Sequence, residues 1–266
     1  DFSIPFALLI PVEMTEAFCF CLLSLNLYFF TFLFYVRFCK RSRELRTDQI
    51  IPKQVEEIAT GLRFFAVEEL KSARRLLRKM DRTFPIDDSQ FSILTKNTTA
   101  PELTPIIRLL KEGNDVGIIS EAGCAGIADP GAVLVALAHE HEIRVVPTVG
   151  PSSILLTLIG SGMNGQQFAF HGYLPKEQKV RIKKLRDLEA KVRRSGETQL
   201  FMDTPFRSMH VFEDLVNILA DDTMLCVASN LTTYTEQIHT RSIKDWRENA
   251  YDISKQPTMF AIGKTQ

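Results

Sequence analysis

Residues 116–165 read VGIISEAGCAGIADPGAVLVALAHEHEIRVVPTVGPSSILLTLIGSGMNG. The run parses as strand, glycine-rich loop, helix, strand, second glycine-rich loop, helix. Val116–Ser120 is a short apolar strand. Asp129-Pro130 opens a helix to about His141, because Asp can satisfy free N–H groups and Pro fits the first helical position. Ile143–Val146 reads as a further strand and Ser152–Ser161 as a further helix. Two loops free of bulky side chains thus leave two neighbouring parallel strands. In open α/β sheets, ligands sit at such strand ends. Keeping Cβ atoms out of both loops makes room for a flat or extended cofactor.

Working outward, the N-terminal side alternates strand and helix. Phe6–Val12 is an apolar strand, Gln49–Gly61 a helix and Leu62–Val67 a second strand. Leu70–Met80 is a basic amphipathic helix with Leu70, Ala73, Leu76, Leu77 and Met80 on one face. Phe91–Leu94 is a third short strand, and Pro101–Glu112 a helix ended by Gly113. This alternation predicts a mainly parallel sheet within an N-terminal α/β domain over 1–165. A second, smaller mixed α/β domain follows over 166–266. Its strands are Phe168–Tyr173, Leu200–Met202, Leu225–Ala228 and Met259–Ile262, and its helices Lys176–Arg194 and Ser208–Ala220.

The chain has 266 residues, 45% of them hydrophobic and 24% charged, the profile of a globular protein. A formal net charge of zero excludes a global basic signature, so any nucleic-acid surface must be local. Five cysteines without a C-x-x-C pair argue against a zinc site and a disulfide framework, and for a reducing compartment. No metal is expected. A dinucleotide-binding domain is excluded, because neither glycine loop has G-x-G-x-x-G spacing.

One segment departs from this pattern, an apolar insertion over 17–46. Ala17–Val36 has only Ser24, Asn26 and Thr31 as polar residues, and Arg37, Lys40, Arg41, Arg43 and Arg46 follow it. Length and polarity make 17–36 a candidate membrane span with the rest of the chain on the cytoplasmic side. The acidic residues before it (Asp1, Glu13, Glu16) do not suit a signal peptide. A span here would separate Phe6–Val12 from the rest of its sheet by a bilayer. Either that strand is lost, or the insertion lies on the surface.

The motifs SEAGCAGIADPG (Ser120–Gly131), RVVPTVGPSS (Arg144–Ser153), FAFHGYLP (Phe168–Pro175), DTPFR (Asp203–Arg207), NLTTYTEQI (Asn230–Ile238) and QPTMFAIG (Gln256–Gly263) occur in one order and spacing. Together they resemble the tetrapyrrole-methylase superfamily, the class III S-adenosylmethionine-dependent methyltransferases. Within it they most resemble the bacterial 16S rRNA cytidine 2′-O-methyltransferase family. The resemblance implies two α/β domains with S-adenosyl-L-methionine between them, methyl transfer, and a homodimer in the cytoplasm. It implies that Glu121, Ala122, Gly123, Ile127 and Ala128 contact the cofactor. Pro147, Gly150, Ser152 and Ser153 would form a second wall, and Met202, Asn230, Pro257 and Thr258 the C-terminal side. The chain departs from the family after the first strand, where Pro11-Val12-Glu13 replaces a glycine-rich loop. It departs again at Glu68–Lys71, Leu94–Asn97 and Thr204–Arg207. These differences spare the cofactor loops and mark a divergent branch.

A ribose hydroxyl is a weak nucleophile, so a general base or electrostatic partner is expected. The candidates are Glu121, at a strand end, and Glu69, after the second strand; the alternative for each is a solvated or helix-capping carboxylate. Ser152 and Ser153 can also cap the helix they open. The five histidines are scattered and read as structural, and Cys124 as a small buried thiol. Basic stripes at 71–82 and 176–194 are either plain solvated faces or surfaces that neutralise RNA phosphates, and the resemblance implies ribosomal RNA or the small ribosomal subunit as partner. Two other functions fit the sequence: a methyltransferase for a tetrapyrrole-like small molecule, and a degenerate, membrane-tethered copy.

Overall fold

The computed structural model describes residues 50–121, 123–249 and 251–265. The strand expected at Phe6–Val12, the insertion 17–46 with its candidate span, and Ala122 lie outside the described residues. Among the described residues no helix is long and apolar enough to cross a membrane.

The first part is a three-layer α/β arrangement. Strand β1 (Phe64–Val67) pairs in parallel with β2 (Gln90–Ile93) and β3 (Val116–Ile119), giving the order β2-β1-β3. Alternation along β1 sends its side chains to two cores. Phe65 and Val67 pack with Ala73 and Leu77 of α2 (Leu70–Met80) and with Phe84 and Ile86. Ala66 faces the other way, toward Leu103, Ile106, Ile107 and Leu134. These belong to a 3-10 turn (Ala100–Leu103), α3 (Thr104–Lys111) and α4 (Gly131–Glu140). Fully burying Leu77 or Phe84 contributes about 1.5–3 kcal/mol each. Before β1 lies α1 (Lys53–Gly61).

The sequence expectations shift in physically readable ways. The first helix begins at Lys53 rather than Gln49, because Pro52 cannot continue a helix backward. The helix expected over Pro101–Glu112 is split. Pro105 sits in the first turn of α3, where its missing N–H costs nothing, and a 3-10 turn precedes it. The strand expected at Ile143–Val146 does not form. It finds no pairing strand among the described residues; Ile143 packs on the core, but Val146 is 60% exposed.

The second part is a five-stranded mixed sheet of order β4-β5-β8-β6-β7. The strands are β4 (Phe168–Tyr173), β5 (Thr198–Asp203), β6 (Met224–Ser229), β7 (Gln237–Ser242) and β8 (Thr258–Gly263). Only β4 and β5 run parallel; the remaining pairs are antiparallel. Helices α6 (Gln178–Ser195), α7 (Ser208–Ile218) and α8 (Ile243–Glu248) cover one face, over Phe201, Val227 and Phe260. The opposite face carries Leu200, Cys226 and Ala261 and receives α5 (Ser153–Ser161) through Leu158 and Ile154. The approach there is close: a Cβ on Gly160 would stand 2.8 Å from Ile238 Cδ1 and 3.1 Å from its Cγ2, so that side chain would have to shift. Among the described residues this sheet has five strands, against three in the N-terminal one. β7 and α8 had no counterpart in the sequence expectations.

Candidate active site

The first glycine loop leaves the C-terminal end of β3 and is folded by its own polar groups. Asp129 Oδ1 accepts from Gly126 N at 2.6 Å and Gly131 N at 2.7 Å. Ser120 Oγ donates to Gly123 O at 3.1 Å, and Ile127 N to Cys124 O at 3.2 Å. Gly123 and Gly126 have φ of 77° and 83°, and Ala128 reaches 58° without being glycine. A left-handed alanine costs roughly 1–2 kcal/mol, and such strain gathers at ligand sites. Ile127 and Ala128 are exposed.

The second loop, with Pro147 and Gly150 exposed, leads into α5. Ser152 is its N-cap, with Oγ 3.5 Å from Leu155 N, and the Ser153 carbonyl accepts from Thr157 Oγ1 at 2.7 Å. A sulfur contact ties the two loops together: Cys124 Sγ donates to Pro151 O at 3.6 Å. A Cβ built on Gly123 or Gly150 meets nothing within 4 Å, so both loops border open space.

The four C-terminal candidates converge at one end of the mixed sheet. Asp203 and Ser229 both pair with Thr258, and Met202 and Ala228 both pair with Met259. Asn230, left-handed at φ 51°, donates its N–H to Pro257 O at 3.0 Å and its amide Nδ2 to Gln256 Oε1 at 3.0 Å. Ser229 Oγ and Thr258 Oγ1 lie 3.1 Å apart. The structure therefore brings Met202, Asn230, Pro257 and Thr258 together, and separately joins the two glycine loops. The link between these groups is α5, which starts at the second loop and packs on the mixed sheet.

The two carboxylate candidates have different surroundings. Glu69 caps α2: its oxygens accept from Lys71 N at 3.0 Å and Ser72 N at 2.5 Å. The backbone amides of Lys71 and Ser72 hold its carboxyl below the usual glutamate value, which makes it a poor proton acceptor. Glu121 is exposed at the end of β3. Its backbone N–H donates to Glu68 Oε2 at 3.0 Å, and its Oε1 accepts from Ser72 Oγ at 3.0 Å. The second oxygen, Oε2, has no hydrogen bond among the described residues.

Sequence reasoning missed Asp203, Arg207 and Gln256. Arg207 Nε and Nη2 both reach Asp203 Oδ1, at 2.8 and 2.7 Å, bracing the turn that follows β5. The i, i+4 spacing of D-T-P-F-R was the available signal. The basic stripes are also reshaped. Arg181 is turned inward onto Asp214 and Arg193 is paired with Asp222, whereas Lys179, Lys183 and Arg186 face outward. His171 is half-buried against Gln199 Oε1 at 2.7 Å, and desolvation pushes its imidazole down from the ordinary value.

No protein-family model matches the chain. It is 31% identical over 186 residues to ribosomal RNA small subunit methyltransferase I of Synechocystis sp., covering 70% of this chain and 63% of that protein. The protein of the same name from Escherichia coli O157:H7 is 30% identical over 189 residues, covering 71% and 63%. That of Haemophilus influenzae is 33% identical over 143 residues, covering 54% and 49%. The chain thus spans less than two thirds of the length of these curated relatives. Among solved structures, the methyltransferase CobJ superposes with a TM-score of 0.54 at 16% identity, over 83% of this chain and 90% of that one. The two-sheet α/β architecture is therefore similar to the fold of that protein. The sequence similarities support the relationship to the rRNA methyltransferases read from the motifs.

Proposed function

We propose that this chain is an S-adenosylmethionine-dependent methyltransferase whose acceptor is a ribose 2′-hydroxyl of small-subunit ribosomal RNA. The observation that carries the reading is its kinship with proteins named ribosomal RNA small subunit methyltransferase I. The residues present fit such a cofactor. Two loops bordering open space offer backbone N–H and C=O groups, and strained backbone stands at two of the expected contact positions, Ala128 and Asn230.

When bound, S-adenosylmethionine supplies a methyl carbon made electrophilic by its sulfonium. The chain's own residues have the remaining tasks. Gly123, Ile127 and Ala128 hold one side of the cofactor, and Pro147, Gly150, Ser152 and Ser153 a second. Met202, Asn230, Pro257 and Thr258 close the C-terminal side. Glu121 is anchored through its backbone and Oε1, so Oε2 is the atom that takes the proton of the attacking hydroxyl. Glu69 positions α2 and, through Ser72, Glu121. Positioning supplies most of the rate in such a transfer.

The outward cations of α6, Lys179, Lys183 and Arg186, with Arg75 and Arg78 of α2, suit an RNA backbone. A homodimer belongs to the same reading. Leu155 and Ile159, four residues apart and half exposed on α5, are the apolar surface for a second copy; light scattering measures it. The reading places the protein in the cytoplasm with ribosomes, and fractionation tests that together with any membrane association through 17–36. The functional test is transfer of labelled methyl to small ribosomal subunits that lack the modification. Label in small-subunit RNA and not in large-subunit RNA is expected; label only in a corrinoid precursor overturns the reading.

A further inference from the structure

Among the described residues the exposed phenylalanines and tyrosines are Phe168, Tyr173, Phe206 and Tyr234. All but Phe168 gather at one end of the mixed sheet. Tyr173 ends β4 and pairs in register with Met202. Phe206 lies in the turn that follows β5, and Tyr234 in the loop from β6 to β7. Asp203 closes β5 and Ser229 closes β6, and both pair with Thr258, which opens β8, so these connections leave the same end. Phe168 opens β4 at the other end. Neighbouring strands stand about 4.8 Å apart, so the strand ends in the order β4-β5-β8-β6 form a row about 14 Å long.

Each ring is carried by backbone that other bonds hold in place. In β4 the register shifts between Phe170 and Tyr173, with Gly172 left-handed at φ 64°, and such a bulge re-aims the residue beside it. The turn of Phe206 contains Pro205 and is braced at both ends: Thr204 N donates to Asp203 Oδ1 at 2.6 Å, and Arg207 N to Thr204 O at 2.9 Å. Around Tyr234, Thr232 N donates to Glu236 Oε2 at 2.6 Å, and Glu236 N to Thr233 O at 3.1 Å. Thr232 is left-handed at φ 67°, which is strained for a β-branched residue. Phe206 and Tyr234 nonetheless remain 84% and 67% exposed, more than any other large hydrophobic side chain described. A ring on ordered backbone loses little freedom when a flat ligand covers it.

Polar groups separate the rings. Lys255 stands in the connection that enters β8 and Glu236 in the Tyr234 loop, and both are exposed. A second copy or a bilayer calls for one continuous apolar patch. Separate rings between polar groups suit separate flat ligands, the bases of a single-stranded nucleic acid. The cofactor candidates Met202, Asn230, Pro257 and Thr258 lie along the same row, so a strand on these rings runs past the methyl donor's side of the sheet.

We infer that Tyr173, Phe206 and Tyr234 form a stacking row for single-stranded RNA. The inference rests on the proposed function and names the side chains that hold its acceptor strand. Every base has a π face, so the row sets the path of the strand rather than its sequence. Its contribution is stacking, not phosphate neutralisation, which separates it from the outward cations of α6.

The test uses the full chain and the variants Tyr173→Ala, Phe206→Ala and Tyr234→Ala. Phe206→Trp keeps a ring, and Phe168→Ala removes one at the far end of β4. The probe is a labelled single-stranded RNA oligonucleotide of mixed sequence, read by anisotropy against salt. Melting and light scattering check fold and oligomeric state, and calorimetry checks S-adenosylmethionine affinity. Each alanine variant in the row is expected to weaken RNA roughly tenfold. The slope of affinity against salt is expected to stay as in the wild type, because no phosphate contact is lost. Phe206→Trp and Phe168→Ala are expected to bind RNA as the wild type does, and all variants to keep cofactor affinity. Equal RNA affinity of the wild type and the three alanine variants overturns the row, even if small ribosomal subunits are methylated normally. So does a wild type that binds no oligonucleotide, or a loss of affinity that only follows a change in oligomeric state. Weakened binding in the alanine variants, with no methyl transfer to small subunits by the wild type, supports the row while sinking the ribosomal reading.

Discussion

The thiol of Cys124 donates to the backbone carbonyl of Pro151 across 3.6 Å, joining the glycine loop that leaves β3 to the second glycine loop, which leads into α5. Residues 27 positions apart in the chain are thereby held as one wall. A thiol is a weak donor, so the contact acts on loop placement more than on folding. Cys124→Ala is expected to weaken S-adenosylmethionine binding about threefold to tenfold, with Cys124→Ser near wild type. Calorimetry measures this, and equal affinity of the alanine variant and the wild type would show that the tie is dispensable.

Glu69 and Glu121 are predicted to separate cleanly. Glu69→Gln weakens a helix cap, and its thermal midpoint is expected to fall by about 2–4 °C, with turnover lowered far less than in Glu121→Gln. Glu121→Gln leaves the fold intact and lowers turnover about 100-fold, the size expected for loss of a general base. Calorimetric melting and single-turnover rates distinguish the two; the reverse pattern would exchange their roles.

Arg181 and Asp214 form an ion pair whose side chains are only 7% and 8% exposed. Removing one partner strands a buried charge. Asp214→Ala is expected to cost about 3–5 kcal/mol by urea unfolding, and the double replacement Arg181→Met/Asp214→Leu much less. Equal losses in the single and double variants would mean that packing, not charge, dominates the site.

Acid should weaken the fold before its carboxylates titrate. Burial lowers the pKa of His171 and of His239 in the folded chain. The unfolded chain then binds more protons over the window just below the ordinary imidazole value of about 6.5. Stability is full above that value and falls as pH drops through the lowered one. The thermal midpoint is expected to decline as pH falls below about 6.5, and less so in His171→Gln. A midpoint that is flat across that window, or an unchanged slope in the variant, would remove His171 from the account.

The conformation of the first glycine loop was readable in the sequence, because glycines and a helix-opening Asp-Pro leave local signals. Gly123, Gly126 and Asp129 stand where such signals put them, and the periodicity of Leu70–Met80 gave that helix its observed bounds. What escaped notice depends on partners far along the chain. Gln237–Ser242 is polar and gains strand character only by pairing with β6 at the sheet edge. Ile143–Val146 shows the converse: β-branched residues that find no pairing strand among the described residues remain loop. The task of Glu69 was open in the sequence, since the same carboxylate serves as base or cap until its two backbone donors are seen.

The position that receives the methyl group tests the proposed function most directly. Unmodified small ribosomal subunits are incubated with the protein and S-adenosylmethionine, and the RNA is digested to nucleosides for mass spectrometry. The predicted result is one new 2′-O-methylated ribonucleoside, absent when Glu121 is replaced by Gln. Methyl found on a base instead of a ribose, or no transfer by a folded protein that binds S-adenosylmethionine, would contradict it.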